Sequence, residues 1–300
     1  MLKAGMDRIR SHAVSANWIE TWSTMAINDA HVRYWGSPAP DELRSRVSRD
    51  PVVVLPLAAT EQHGPHLPLS TDVDIGLGLL NETFLRLDRN IPSWALPIET
   101  IGASLEHERY DGTTSMAPHE LGQTIVDQGR HLSTLGIRRL VISNSHGGNS
   151  GIIESAALRL REDCELLVIK ANYYRFERPV DVDLPDIEWR HGLHGGAVET
   201  AMMLHLRREC VKTDAINKFP SIAEELEARG SRILPTGSAA FAWLAGDLNP
   251  LGVVGDATLA SAEIGRQLVS HYATILAHII EDACHFPIDK LNRRQRSRKT

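Results

Sequence analysis

Residues 52–74 read VVVLPLAATEQHGPHLPLSTDVD, an apolar run followed by a turn-rich loop that carries carboxylate and imidazole side chains. The run Val52–Leu57 is continuous and of strand length, which is typical of a parallel strand that is covered on both faces. Glu61, His63 and Asp72 follow it, and these side-chain types bind divalent ions. The stretch therefore predicts a buried strand and half of a metal site, with ordinary solvated loop residues as the alternative.

Short apolar runs and amphipathic segments continue to alternate along the chain. This alternation predicts an α/β fold with a mostly parallel sheet and right-handed crossovers. Between residues 172 and 193 aromatic residues and prolines show no period, which predicts a long loop near a site or an interface. Residues 234–255 predict loops around a short helix that holds Trp243. We predict strands at 52–57, 93–97, 139–143 and 165–171, and helices at 37–50, 73–87, 118–136, 152–162, 195–209 and 259–281.

Composition and charge restrict the class of function. With 42% hydrophobic and 23% charged residues the chain has the composition of a soluble globular protein. Its net charge of −6 and pI near 6.2 argue against a nucleic-acid partner, since such proteins present a basic field to phosphates. We therefore expect a small-molecule substrate.

Cysteine usage and apolar run lengths bear on location and domain organisation. The three widely spaced cysteines form no CxxC pair, and no apolar run reaches the length of a membrane span, so we expect a cytoplasmic protein that does not enter the membrane. No repeat or low-complexity linker divides the chain. We predict an N-terminal extension (1–36), a single metal-hydrolase domain (37–288) and a basic disordered tail (289–300).

Two later motifs carry side chains of the same chemistry. His146 follows the strand predicted at 139–143 and precedes Gly147 and Gly148, which allow close approach of a metal or substrate. Five residues separate His194 from Glu199, about 140° on a helix, so His194 should precede the helix and both should face one cleft. The alternatives are a helix-capping role for His146 and a helix-dipole role for Glu199. His191 is interpreted as a loop residue.

Two histidines and three carboxylates from three loops suit two divalent ions better than one structural zinc. Glu61, His63, Asp72, His146 and Glu199 are the predicted ligands, and zinc, manganese or iron are the candidate metals. Two ions ~3.5–4 Å apart can share a carboxylate and a water, whose pKa falls to about 7 and which then supplies a bridging hydroxide. A general acid must protonate the leaving nitrogen, and His194 is the candidate.

Four motifs together resemble the creatininase family of creatinine amidohydrolases. They are LPLAATEQHGPHLPLSTDVDIG, NSHGGN, HGGAVET and GVVGDATLASAEIGRQL, which occur in the family's order between residues 52 and 268. The resemblance implies a three-layer α/β/α sandwich, a dinuclear metal centre and hydrolysis of carbon–nitrogen bonds in small amides. It also implies a homo-oligomer, commonly a hexamer built as a trimer of dimers.

The resemblance also implies individual roles. Glu61 and His146 would hold one ion, His63 the other, and Asp72 would bridge them. The segment 104–113, SLEHERYDGT, resembles the family's stretch beside the pocket. His107 and Tyr110 within it are therefore candidate substrate contacts, together with Gly147 and Gly148, and ordinary loop positions are the alternative for the first two.

One position departs from the creatininase pattern. True creatininases carry a Tyr-Glu pair where this chain has Gly147 and Gly148, so the second ion loses a ligand. The Gly-Gly form resembles the branch that includes formamidopyrimidine deformylases and the mycofactocin-maturing peptidase, in which Glu199 would complete the site. We therefore expect a small amide, lactam, formamide or short peptide as substrate rather than creatinine. The alternatives are a carbohydrate-like or ring-opened metabolite, or a metal-binding subunit that has lost catalysis.

Overall fold

The computed structural model describes residues 31–36 and 39–291. From Val32 onward the described residues belong to one compact unit. Most of the predicted N-terminal extension (1–36) and of the predicted basic tail (289–300) lies outside the described residues. The proposed domain limits therefore stay a prediction.

A parallel sheet occupies the centre of this unit, as the sequence predicts. Its strands lie in the order β2-β1-β3-β4, and every neighbouring pair is parallel. Register aligns β1 with β3 from Val52 opposite Arg139 to Leu57 opposite Asn144, so the two strands end side by side. The strands are β1 (Val52–Leu57), β2 (Ser93–Ala95), β3 (Arg139–Asn144) and β4 (Leu167–Asn172).

Helices cover both faces of the sheet. Alternate residues of β1 pack against helices on opposite faces. Val53 and Leu55 pack into a cluster with α3 and α4, whereas Val52 and Val54 pack into another with α2 and α9. These contacts give the expected three-layer α/β/α arrangement. The helices are α1 (Pro40–Val47), α2 (Thr71–Arg86), α3 (Pro118–Thr134), α4 (Ser150–Cys164), α5 (Asp186–His191), α6 (Ala197–Leu206), α7 (Ile222–Ala228), α8 (Ala245–Leu248) and α9 (Ala262–His285).

Helix bounds differ from the sequence predictions at both ends, and most at the end of α9, which continues to His285 rather than to residue 281. Helix α2 begins at Thr71 rather than at residue 73, which places Asp72 in its buried first turn instead of in the loop. Helix α9 begins at Ala262 rather than at residue 259, because the Ser261 hydroxyl accepts a hydrogen bond from the Ile264 N–H and caps the helix there. A side-chain cap of this kind fixes a helix boundary that hydrophobic period alone does not locate.

Two predictions about the loops are wrong. The segment 172–193, predicted as a long loop near a site or an interface, does border a pocket, but it contains the short helix α5, whose six residues are too few to show a period. Trp243 lies before α8 rather than in it, since the Leu244 N–H donates to the Asp247 carboxylate and the helix begins only at Ala245. An antiparallel ribbon pairs β5 (Lys218–Phe219), which precedes α8 in sequence, with β6 (Gly255–Asp256), which follows it. Within the described ranges we find no helix with the length and apolarity required to cross a bilayer.

Candidate metal centre

Side chains from three loops meet beyond the carboxyl ends of the parallel strands. Glu61 follows β1, His146 follows β3 and Tyr173 follows β4, and all three line a pocket of about 440 Å³. His194 and Glu199 line the same pocket from the start of α6, so the predicted common cleft is confirmed. Open parallel sheets generally bind ligands at this edge.

Glu61 lies at the centre of the cluster. Its side chain is fully buried, and neither carboxylate oxygen finds a hydrogen-bond partner among the described residues. Three imidazole nitrogens surround Oε1: Nδ1 of His146 at 3.2 Å, Nδ1 of His194 at 3.6 Å and Nε2 of His107 at 3.6 Å. A buried carboxylate without hydrogen bonds is costly, so this arrangement calls for a cation.

Backbone hydrogen bonds set the tautomers of two of the histidines. His63 donates from Nδ1 to the Glu61 carbonyl at 3.1 Å, and His146 donates from Nε2 to the Ala103 carbonyl at 3.1 Å. In the neutral rings the remaining nitrogens therefore carry lone pairs. These lone pairs face carboxylates, 3.4 Å from Asp72 for His63 and 3.2 Å from Glu61 for His146. Such pairs repel unless a cation or a proton lies between them.

Gln62 sets opposite tautomers in the other two rings. His194 donates from Nε2 to the Gln62 carbonyl at 2.8 Å, so its Nδ1 lone pair faces Glu61. The Gln62 side-chain amide donates both to the Gly252 carbonyl at 2.6 Å and to Nδ1 of His107 at 2.8 Å. A neutral His107 must then carry its proton on Nε2, which faces the cluster. Among these four rings His107 is the one that presents an N–H.

A second group of possible ligands lies beside the first. His63 Nε2 is 3.4 Å from Asp72 Oδ1 and 3.8 Å from Glu199 Oε2. Glu199 also accepts the Gly195 N–H at 2.6 Å and the Tyr173 hydroxyl at 3.5 Å. It thus accepts a backbone N–H at the start of α6 and also faces His63, so its position is compatible with both interpretations offered for Glu199.

Asp72 joins the two groups. Its Oδ1 faces His63, and its Oδ2 lies 3.2 Å from His146 Nδ1. Because Asp72 sits in the first turn of α2 and is buried, its two oxygens point into the cluster from one fixed backbone position. This orientation is the one that a bridging carboxylate requires.

The donor set fits divalent metal ions. Three sets of carboxylate and imidazole groups each place one ligand atom per residue within 4.8 Å of the others. Buried oxygen and nitrogen donors without hydrogen bonds suit zinc, manganese or iron. The sets are Glu61, His63 and His194; Glu61, Glu106 and His146; and His63, Asp72 and Glu199.

The pKa values describe how the metal-free cluster holds protons. Burial lowers the pKa of His63, but Asp72 and Glu199 outweigh that effect and raise it to about 9. Burial raises the pKa of Glu199 to about 7. Burial and the neighbouring His63 hold the pKa of His194 well below its usual range, and burial lowers that of His107 to about 4. A proton on His63 therefore occupies the place where the lone-pair geometry suits a metal ion.

Of the remaining predicted residues, some line the pocket and others point away from it. Gly147 and Gly148 line the pocket. Tyr110 points elsewhere, since its hydroxyl donates to the Pro250 carbonyl at 3.2 Å. His191, expected in a loop, is the last residue of α5 and is buried against Glu227 at 2.9 Å.

Three residues of the site are not among the site residues predicted from the sequence. Tyr173 follows β4. The rule that ligands bind beyond the carboxyl ends of parallel strands (the strand-end rule), which identifies His146, therefore also applies to Tyr173. Glu106 stands beside His107 in a stretch already associated with the pocket, but a single loop carboxylate gives no signal of its own. Gln62 carries no charge, and only the folded hydrogen-bond network shows that it controls two histidines.

Glu188, buried in α5, fixes the segment that carries His194 and Glu199. Its carboxylate accepts the Ala197 N–H at 2.6 Å and the Asp256 N–H at 2.7 Å, which ties the start of α6 to β6. This carboxylate thus accepts from a buried backbone donor at Ala197 and a part-buried one at Asp256.

Glu188→Gln is expected to lower the free energy of unfolding by about 1–3 kcal/mol. The amide keeps one acceptor oxygen, so one of the two N–H groups faces another donor. Urea denaturation measures the change, and Glu263→Gln, which removes an exposed ion pair with Arg266, is the matched control. Equal stability of the two variants would contradict the role assigned to Glu188.

Comparison with known proteins relates this chain to one protein family. The creatininase family model, described as creatinine amidohydrolase, matches residues 39–280. A mycofactocin precursor peptide peptidase from Mycobacterium ulcerans is 32% identical over 73% of this chain and 80% of its own length. A creatinine amidohydrolase from Pseudomonas putida is 31% identical over 60% and 74%, respectively. A solved structure described as "Creatininase Mn" superposes with a TM-score of 0.68 at 25% identity, covering 85% of this chain and 99% of that one.

Proposed function

Because the chain belongs to the creatininase family, whose model matches most of its length, we propose that it is a divalent-metal-dependent amidohydrolase. It hydrolyses a carbon–nitrogen bond, as the names of its relatives indicate for them. The substrate we propose is a small amide, lactam, formamide or short peptide. The cofactors we propose are two divalent ions, zinc, manganese or iron.

The observation that carries this proposal is the fully buried Glu61 carboxylate. Neither of its oxygens has a hydrogen-bond partner in the part of the chain that the structure describes, and the lone pairs of His146 and His194 point at one of them. A structural role would have supplied donors to such a carboxylate. A divalent ion bound between Glu61 and His146 satisfies the carboxylate and the His146 nitrogen together, and leaves Nδ1 of His194 free to take up a proton.

The side chains divide naturally between two ions. Glu61 and His146 would hold one ion, His63 and Glu199 the other, and Asp72 would contact both. When bound, such ions polarise a carbonyl group and lower the pKa of water to about 7.

Two further histidines handle protons. His194 carries a lone pair on Nδ1 because its Nε2 proton is committed to the Gln62 carbonyl. It can therefore accept a proton at Nδ1 and return it to the leaving nitrogen, so it acts as a base before it acts as an acid. His107 presents Nε2–H to the same space and can donate a hydrogen bond to a substrate oxygen.

The pocket walls support a substrate that has an apolar or aromatic part. Tyr174, Trp189 and Trp243 line the cavity, and Arg175 adds one cation. A volume of about 440 Å³ accommodates a small molecule or a short peptide segment. We propose a cytoplasmic homo-oligomer, on the three free cysteines and on family membership.

A hydrolysis screen with protein of known metal content tests the proposal. Protein reconstituted separately with manganese, zinc and iron is offered creatinine, hydantoins, formamides, small lactams and short peptides. We expect turnover of at least one amide class that depends on the metal and is lost on chelation. Purified protein that binds no divalent ion at stoichiometric level would overturn the proposal.

A further inference from the structure

Glu106 reaches the cluster from a loop that supplies none of the other proposed ligands. It lies in the turn Leu105–His107 after β2, and its Oε1 is 3.7 Å from Nε2 of His146. That nitrogen donates to the Ala103 carbonyl, and Nδ1 of the same ring faces Glu61. Its side chain is 20% exposed and lines the pocket. One carboxylate oxygen of Glu106, one of Glu61 and one nitrogen of His146 all lie within 4.8 Å of one another.

Gly148 makes room for this carboxylate. A Cβ atom at position 148 would lie 2.5 Å from Glu106 Oε1, and equally close to the Ala103 carbonyl oxygen and to Nε2 of His146. Gly148 is not among the glycines with positive φ, so its backbone conformation does not demand glycine. Glycine is required here because a Cβ atom would clash with its neighbours. The Glu106 carboxylate occupies part of the space that such an atom would need.

We propose that Glu106 is a metal ligand on the ion held by Glu61 and His146, and that glycine at 148 keeps its path to that ion open. This inference rests on the proposed metal-dependent function. Oxygen and nitrogen ligands bind zinc at about 2.0–2.2 Å, so two ligands of one ion lie at most ~4.4 Å apart. The Glu61–Glu106–His146 set is already close to that limit.

Burial supplies an independent reason for an ion at this place. Glu61 is fully buried, and its two oxygens find no hydrogen-bond partner among the described residues. A second carboxylate within 4.8 Å of it would add repulsion in the absence of a cation. A shared ion turns that repulsion into coordination. Glu106 then supplies a carboxylate on the side of the site where position 148 has no side chain.

The test compares metal binding in Glu106→Gln and Glu108→Gln. Glutamine keeps the shape of Glu106 and removes its charge, and Glu108 is an exposed neighbour on the same loop outside the cluster. Each protein is freed of bound metal with a chelator and is then titrated with Mn²⁺ and, separately, with Co²⁺. Elemental mass spectrometry measures the metal bound per chain. The visible absorption spectrum of bound Co²⁺ reports which ligands surround the ion.

We expect Glu106→Gln to weaken binding of one ion by more than about tenfold, with an altered Co²⁺ spectrum, because even outer partners of metal sites cost about 10–100-fold. Glu108→Gln should match the wild type. If the wild type binds two ions and Glu106→Gln binds them with unchanged affinity and spectrum, this inference is wrong while the proposed function stands. If the wild type binds no divalent ion, the proposed function fails, and the role of Glu106 fails with it.

Discussion

Asp72→Ala is expected to abolish hydrolysis and to leave the protein short of at least one metal ion. Asp72 directs Oδ1 to His63 and Oδ2 to His146, so its loss removes a ligand from both proposed ions at once. Outer partners of metal sites alone cost about 10–100-fold in affinity or activity, and a residue that serves two ions should cost more than 100-fold. Metal analysis and turnover of the best substrate in the screen measure the two effects.

Asp74→Asn is the matched control for this variant. Asp74 lies in the same helical turn, but its carboxylate bonds to Arg207 at 2.9 Å and to the Ser70 hydroxyl at 2.7 Å, away from the cluster. This change should lower stability while it leaves metal content and turnover close to wild type. An Asp72→Ala protein with two ions per chain would refute the bridging role.

Much of the fold follows from residue patterns because the sheet is buried on both faces. Val52–Leu57 has no polar residue, and a strand of this kind is stable only between two helical layers. Continuous apolar runs therefore locate the strands within a residue or two. Hydrophobic patterns are weaker for α5 and α8, whose few residues are fixed by local hydrogen bonds rather than by a long apolar face.

The predicted ligands come together because they follow strands that end at one edge. Parallel register aligns the ends of β1 and β3, and that alignment carries Glu61 next to His146. The position of His194 before α6 could likewise be inferred from helix geometry. Side-chain chemistry and the strand-end rule are sufficient for this much of the site.

Hydrogen-bond direction, in contrast, could not be inferred from the sequence. Whether a histidine offers a lone pair or a proton depends on what its other nitrogen contacts, and those partners are mostly backbone carbonyls. His194 and His107 have the same side chain and stacked rings with centroids 4.2 Å apart, yet they present opposite atoms to Glu61. Gln62 makes that difference, and its own sequence position gives no indication of it.

Removal of the ions should make stability fall steeply as pH rises from 7 to 9. In the metal-free protein Asp72, Glu199 and Glu61 surround His63 and raise its pKa from 6.5 to about 9. A base whose pKa is higher in the folded state stabilises the fold fully below its unfolded pKa and loses that contribution as pH rises through the folded value. A shift of this size corresponds to about 3 kcal/mol.

The other groups of the cluster act in the same direction or not at all within this window. The pKa of His146 is also raised, against the effect of burial, by Glu61 and Asp72, and burial raises that of Glu199 to about 7. The pKa of His194 is lowered by burial and His63, and that of His107 by burial, so their contributions change below pH 6.5. Despite burial, His146 holds the pKa of Glu61 well below its usual value, and its contribution is constant above pH 5.

Urea denaturation at pH 7, 8 and 9, with bound metal and with chelator, separates these effects from those of surface groups. Surface groups are common to both samples, so their contributions cancel in the difference between them. With ions bound, the lone pairs of His63 and His146 coordinate metal instead of protons, and stability should vary little. The metal-free protein should lose about 2 kcal/mol or more over the same range. A metal-free protein with constant stability between pH 7 and 9 would mean that no proton replaces a cation at His63.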